Sequence, residues 1–315
     1  MTRQSTGCAV VAAVMVLALA AALLLPEPAA GPVGGWMARA DVAPAFVDIG
    51  GSRVRYVRRG SGPPVVLLHG FASSLYTWKD VLPALAASHD VVAIDLPGFG
   101  GSSIPRRLQA ASYPGVVLGV MDRLGLGRTT LVGNSLGGSI AVAVAGEHPE
   151  RVDRLVVIDS AGFNFRARDR PWMLRLVAAP GVAEVAERLP VRRRLVAAGL
   201  RQVFFRDELV TEERIDEYAV PMLRPGAARA AAELLGAPGP PDFAALIARV
   251  RAPTLVVWGR EDTWIPVAHA GRFTSAIAGS TAAVLEDCGH MPQEEKPAEV
   301  VALLQGFLGS AARID

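Results

Sequence analysis

The sequence predicts an open, mostly parallel α/β sheet with helices on both faces and a late block of inserted helices. Three observations carry this. Short continuous apolar runs, such as Pro64–Leu68, Val91–Ile94 and Leu155–Ile158, alternate with helical patterns, as buried parallel strands and their crossovers do. The alternation stops after Gly162 and resumes at Thr254, with helical patterns and no strand pattern between Phe163 and Pro241. One run, Thr129–Val132, leads into Gly133-Asn134-Ser135-Leu136-Gly137-Gly138 and then into the apolar small-residue segment Ser139–Ala145, a strand, sharp turn and helix in succession.

In chain order, the first landmark is an uncharged segment, Cys8–Leu25, preceded by Arg3 and stopped by Pro26-Glu27-Pro28. Its 18 residues would span about 27 Å as a helix, close to a bilayer core of about 30 Å. Residues 1–25 are therefore read as a signal peptide or an N-terminal membrane anchor, with Ala38-Arg39-Ala40 as a distant cleavage candidate. Either reading places the remainder outside the cytoplasm, anchored or secreted. Residues 26–44, rich in Gly, Pro and Ala, read as a linker. Ala45–Ile49 and Arg53–Arg58 form a hairpin about Gly50-Gly51-Ser52. The strand Pro64–Leu68 follows, then a helical pattern over Leu75–Ala87, the strand Val91–Ile94 and a helix over Tyr113–Leu124. Residues 45–162 thus form the first part of the core, 163–241 a helical cap, and 242–315 the second part of the core. That second part holds strands Thr254–Trp258 and Thr281–Leu285, a helix near Val267–Ala278 and a last one over Pro297–Leu308.

Bulk properties limit the function classes. A chain of 315 residues with 51% apolar content can bury a large core. A net charge of +2 gives no reason to expect a nucleic-acid partner. Of the two cysteines, Cys8 lies in the N-terminal segment, so Cys288 has no partner for an internal disulfide. No repeat and no zinc-type spacing is present, and no metal or other cofactor is implied.

The turn at Ser135 places the serine in a strained backbone conformation, which requires small neighbours. Gly133 and Gly137 supply them, and the hydroxyl stands at the carboxyl edge of the sheet. A serine hydroxyl is a poor nucleophile near neutral pH and needs a base. His290, in the loop Cys288-Gly289-His290 after the last strand, is the candidate. Asp262, after the strand Thr254–Trp258, would hold the imidazole in one tautomer. Its neighbour Glu261 and Asp159, at the end of the preceding strand, are the other carboxylates considered for this role.

Five features stand in order: His69-Gly70-Phe71, Asp95 to Ser102, Gly133 to Gly138, Gly259 to Pro266 and Cys288 to Pro297. With them the chain resembles a capped α/β-hydrolase from about Ala45 to Leu308, and nucleophile, acid, histidine is that family's chain order. The resemblance implies a catalytic triad of Ser135, Asp262 and His290. It also implies an oxyanion hole built from the backbone N–H groups of Phe71 and Leu136. His69 and the turn from Asp95 to Ser102 are expected to be structural.

Departures narrow the chemistry. A serine at the turn argues against dehalogenases and epoxide hydrolases of this fold, which use aspartate, and the cap region holds one tyrosine, Tyr218. The expectation is a serine hydrolase cleaving carboxylic esters of hydrophobic or lipid-like substrates. The alternatives are a carbon–carbon bond hydrolase acting on ring-cleavage products, or a non-catalytic binding protein on the same scaffold. Between Phe165 and Arg206 stand ten arginines against Asp169, Glu184 and Glu187. This basic stretch, with the N-terminal segment, is a candidate membrane contact; its plainer reading is a solvated helix face.

Overall fold

The computed structural model describes residues 29–163, 171–179, 181–182, 193–237 and 243–309. Residues 1–25, the expected signal or anchor, lie outside the described residues, as do Arg166, Arg168, Arg170, Arg188 and Arg192 of the basic stretch. Among the described residues no helix is long and apolar enough to cross a membrane.

Eight strands form one sheet: β1 (Ala45–Ile49), β2 (Ser52–Arg59), β3 (Pro64–Leu68), β4 (Asp90–Ile94), β5 (Thr129–Asn134), β6 (Val152–Ile158), β7 (Thr254–Gly259) and β8 (Thr281–Leu285). Their order is β1-β2-β4-β3-β5-β6-β7-β8. β2 is antiparallel to both β1 and β4, and the other pairs are parallel. The apolar runs are continuous because both sheet faces are covered. Val66, Leu68, Val92 and Ile94 face one core with the helices Tyr113–Arg123 and Leu136–Glu147. Val65, Leu67, Val91 and Ala93 face the other with Trp78, Leu82 and Leu304. Period-two alternation sorts one apolar run into two cores.

Parallel pairing brings all the chemistry to one edge. Leu68 pairs with Gly133, Gly133 with Val157, Ile158 with Val257 and Gly259 with Leu285. The loops carrying Phe71, Ser135, Asp159, Asp262 and His290 therefore all leave the carboxyl ends of adjacent strands. Between β6 and β7 the described residues hold helices Trp172–Val177, Arg193–Val203, Glu212–Met222, Ala227–Gly236 and Phe243–Ala248, and no strand.

Two stretches differ from the sequence expectation. Leu75–Ala87 is not one helix but a 3₁₀ turn, Leu75–Trp78, and a short helix, Leu82–Leu85. Long-range bonds hold the first turn: Asp95 accepts the Leu75 N–H at 2.8 Å, and the Thr77 hydroxyl donates to Glu294 at 2.8 Å. The linker carries a short helix, Gly35–Arg39, and is docked rather than free. Trp36 is buried edge-on against Tyr76, and the Gly31 N–H donates to Asp216 at 3.0 Å.

Candidate active site

Ser135 sits between β5 and the helix Leu136–Glu147 with φ 54° and ψ −115°. A Cβ on Gly133 would lie 2.3 Å from the Gly137 carbonyl, and one on Gly137 would lie 2.2 Å from the Leu68 oxygen. Neither distance is compatible with a side chain, so both glycines are required for the serine to stand where it does.

His290 and Asp262 come together. A carboxylate can only accept, so His290 Nδ1–H donates to Asp262 Oδ2, at 2.7 Å, and the ring lone pair is left on Nε2. Asp262 Oδ1 accepts from the N–H groups of Trp264 and Ile265 at 2.7 and 2.9 Å. Glu261, the neighbour considered for the same role, faces elsewhere and accepts the Cys288 N–H at 2.9 Å. His290 and Ser135 line one cavity of about 270 Å³ together with Phe71.

The Leu136 N–H is the first of its helix, where no preceding helical carbonyl exists to receive it. The Phe71 N–H has no acceptor among the described residues. Gly70 brings the Phe71 loop against the serine; a Cβ on Gly70 would lie 3.2 Å from Ser135 Cβ. His69 is wholly buried and holds this loop: Nδ1–H donates to the Gly70 carbonyl at 2.7 Å, and Nε2 accepts the Leu96 N–H at 2.9 Å. Burial holds its pKa below the ordinary histidine value, which suits a neutral ring with these two roles. Asp95 likewise ties a turn, accepting from Arg55 at 2.5 Å and Gly101 at 2.7 Å.

Several supports had no clear signal in the sequence. Glu295 is buried and accepts from the N–H groups of Gly289 at 2.9 Å and Phe205 at 2.8 Å, fixing the histidine loop to the end of Arg193–Val203. Burial pushes its carboxyl above the ordinary range. The His290 N–H donates to the Val203 carbonyl at 2.7 Å. Asn134 donates to the carbonyls of Ile158 and His290, both at 3.2 Å, joining β5, β6 and the histidine loop through one amide. Only Asn134 left a trace, as the residue before the serine. Asp159, Asp262 and His290 place ligand-type atoms within 4.8 Å of one another. Both oxygens of Asp262 are already engaged, so the cluster reads as a hydrogen-bonded group rather than a metal cradle.

A family model described as alpha/beta hydrolase fold matches residues 63–297. The chain belongs to the alpha/beta hydrolase fold family. It is 36% identical, over 84% of its length and 68% of the other, to a dihydrolipoyllysine-residue acetyltransferase component of an acetoin cleaving system from Cupriavidus necator. It is 34% identical to a 2-hydroxymuconate semialdehyde hydrolase from a Pseudomonas species, over 83% of this hydrolase and 92% of that one. Among solved structures, a meta-cleavage product hydrolase superposes with a TM-score of 0.73 at 27% identity, over 85% and 98% of the two chains. A membrane phospholipase A superposes with a TM-score of 0.71 at 26% identity, over 98% of each chain.

Proposed function

We propose that this hydrolase cleaves carboxylic esters of uncharged, hydrophobic acyl groups through an acyl-enzyme. Ser135 is the nucleophile, His290 the base and Asp262 the group that orients the imidazole. As Ser135 attacks, its proton passes to His290 Nε2, and the carbonyl oxygen takes up negative charge against the N–H groups of Phe71 and Leu136. Collapse expels the alcohol, protonated by His290, and a water deprotonated by the same ring releases the acid.

One observation carries the choice of substrate. The described lining of the cavity is apolar around Ser135, from Met173, Leu174 and Leu200 to Met222, and includes no lysine or arginine. A buried carboxylate without a cationic or hydrogen-bonding partner is costly to desolvate. The lining therefore favours an uncharged acyl chain over an ionised one. The likeness to a phospholipase A over nearly the whole length of both chains supports a lipid-like ester. It also agrees with action outside the cytoplasm at a membrane, reached through the N-terminal segment and the basic cap.

The second reading, carbon–carbon bond hydrolysis, is favoured by the 34% identity to the 2-hydroxymuconate semialdehyde hydrolase. Parallel assays of the full-length protein on p-nitrophenyl esters from acetate to palmitate and on a ring-cleavage dienoate separate the two. Ester turnover that rises with chain length and is lost in Ser135→Ala is the expected result. Turnover of the dienoate with no ester hydrolysis would replace the ester reading with the second one.

A further inference from the structure

Asp159 has no part in the cycle above, yet it lies beside it. It follows β6, is wholly buried, and holds φ at 44°, a left-handed conformation that aspartate tolerates better than most residues. Its Oδ1 accepts the Gly259 N–H at 3.0 Å. Its Oδ2 is buried with no hydrogen-bond partner among the described residues. One oxygen of this carboxyl, one of Asp262 and a ring nitrogen of His290 lie within 4.8 Å of one another.

Two ionised carboxylates this close in a buried site repel, and neither can donate to the other. Asp262 cannot be the one that holds a proton without losing its acceptor role toward Trp264, Ile265 or His290. Asp159 has one oxygen satisfied as an acceptor and one buried with nothing to accept. A proton on Oδ2 resolves both problems.

We propose that Asp159 is a positioning residue, an uncharged acid whose O–H donates to Asp262, fixes that carboxylate and moderates the charge it presents to His290. The proposal rests on the triad reading of Ser135, Asp262 and His290. Burial, and next the charge of Asp262, push the Asp159 carboxyl well above the ordinary range, with Glu295 acting in the same direction and the Gly259 N–H against it. The titratable groups around it are Asp262 after β7, Cys288 and His290 after β8, and Glu295, with Glu261 next to Cys288 and His269 near Asp262. Burial pushes the Cys288 thiol up, so it adds no charge near neutral pH.

The consequence has a definite sign. Without the Asp159 donor, negative charge concentrates on Asp262, the imidazolium is stabilised, and higher pH is needed to free the base. The test is the pH dependence of the rate at which a fluorophosphonate probe labels Ser135, with ester kcat and KM, in the full-length protein. Asp159→Asn offers an N–H in place of the O–H and keeps an oxygen for Gly259. It is expected to follow the wild-type profile within about two-fold. Asp159→Leu is expected to move the acid limb upward by about one unit, a ten-fold loss of free base on that limb, with KM unchanged.

An acid limb left in place in Asp159→Leu, or shifted equally in Asp159→Asn, would overturn the proposal. If Asp159→Leu does not fold, the infrared band of a protonated buried carboxyl at pH 7 decides. The band is expected in the wild type and lost in Asp159→Asn; its absence from the wild type overturns the proposal. A wild-type protein that neither labels nor hydrolyses overturns the triad reading, and the positioning role falls with it whether or not the band is present.

Discussion

His290 and Asp262 are 28 positions apart in the chain and 2.7 Å apart in space, while Glu261, one step away, serves a loop. Function at this scale depends on which way a single side chain points. Ser135→Ala is expected to lower kcat by about a million-fold and Asp262→Asn by about ten-thousand-fold, both read from initial rates on a p-nitrophenyl ester. If Asp159 were the orienting acid instead, Asp262→Asn would keep most of the activity. A stability prediction follows from Asp159 itself. Its pKa is raised by burial, so the folded state keeps a proton that the unfolded state has lost. That group stabilises fully below the ordinary aspartate value, and its contribution is lost as pH rises toward the folded pKa. Asp159→Asn should therefore gain Tm relative to wild type as pH is raised from about 4, with no gain below that. A Tm difference independent of pH would contradict the assignment.

Among the elements, the helix Glu212–Met222 does more than cover the sheet edge. Thr211 caps it by accepting the Arg214 N–H at 3.3 Å, with Glu212 and Glu213 in the first turn complementing the dipole. Its inner face plugs into a buried polar group. Arg214 donates to Glu294 at 3.0 Å, Tyr218 donates to the same carboxylate, and Ser73 donates to Tyr218 at 3.3 Å. Arg214→Ala would leave Glu294 buried without its cation, a loss of about 3–5 kcal/mol measurable by urea unfolding. The double change to well-packed apolar residues at both positions should recover most of it. At the turn before the helix Leu136–Glu147, Gly137→Ala sets a Cβ 2.2 Å from the Leu68 oxygen. Strand β3 cannot retreat, because it pairs with β4 on its other side. Expression as insoluble or probe-unreactive protein is the expected outcome.

For the whole molecule, the cavity arises from two layers that never meet in sequence. Phe71, Ser135 and His290 come from the sheet edge, and Met173, Leu200 and Met222 from the inserted helices. A volume of about 270 Å³ lies just below the range of roughly 300–1,000 Å³ typical for small-molecule sites. Leu200→Trp would fill part of it. On the ester reading this should reduce kcat/KM for long-chain p-nitrophenyl esters by at least about ten-fold and spare the acetate. An equal loss across all chain lengths would mean that the acyl group lies elsewhere. The docked segment Gly31–Arg39 adds a second link across the chain, since Arg39 also pairs with Glu213 at 2.6 Å. Both ends of that pair are exposed, so it steers the segment more than it stabilises it.

The mostly parallel sheet, the helices between β6 and β7, and the placing of Phe71, Ser135, Leu136, Asp262 and His290 just after strands were legible in the sequence. Each depends on local rules: apolar runs where both faces are buried, glycines where a backbone approaches a backbone, and chemistry-bearing residues just after a strand. The exact helix limits near Leu75 were not, because long-range bonds from Asp95 and Glu294 set that turn. Nor were the docking of the linker through Trp36, the roles of Glu295 and Asn134, or the nearness of Asp159 to Asp262. These are contacts between residues far apart in the chain, and whether a buried carboxyl is charged depends on its neighbours in space. Local sequence determined which groups reach the sheet edge; only tertiary packing decided which of them lie against one another, because the apolar lining of the cavity comes from helices inserted far away in the chain.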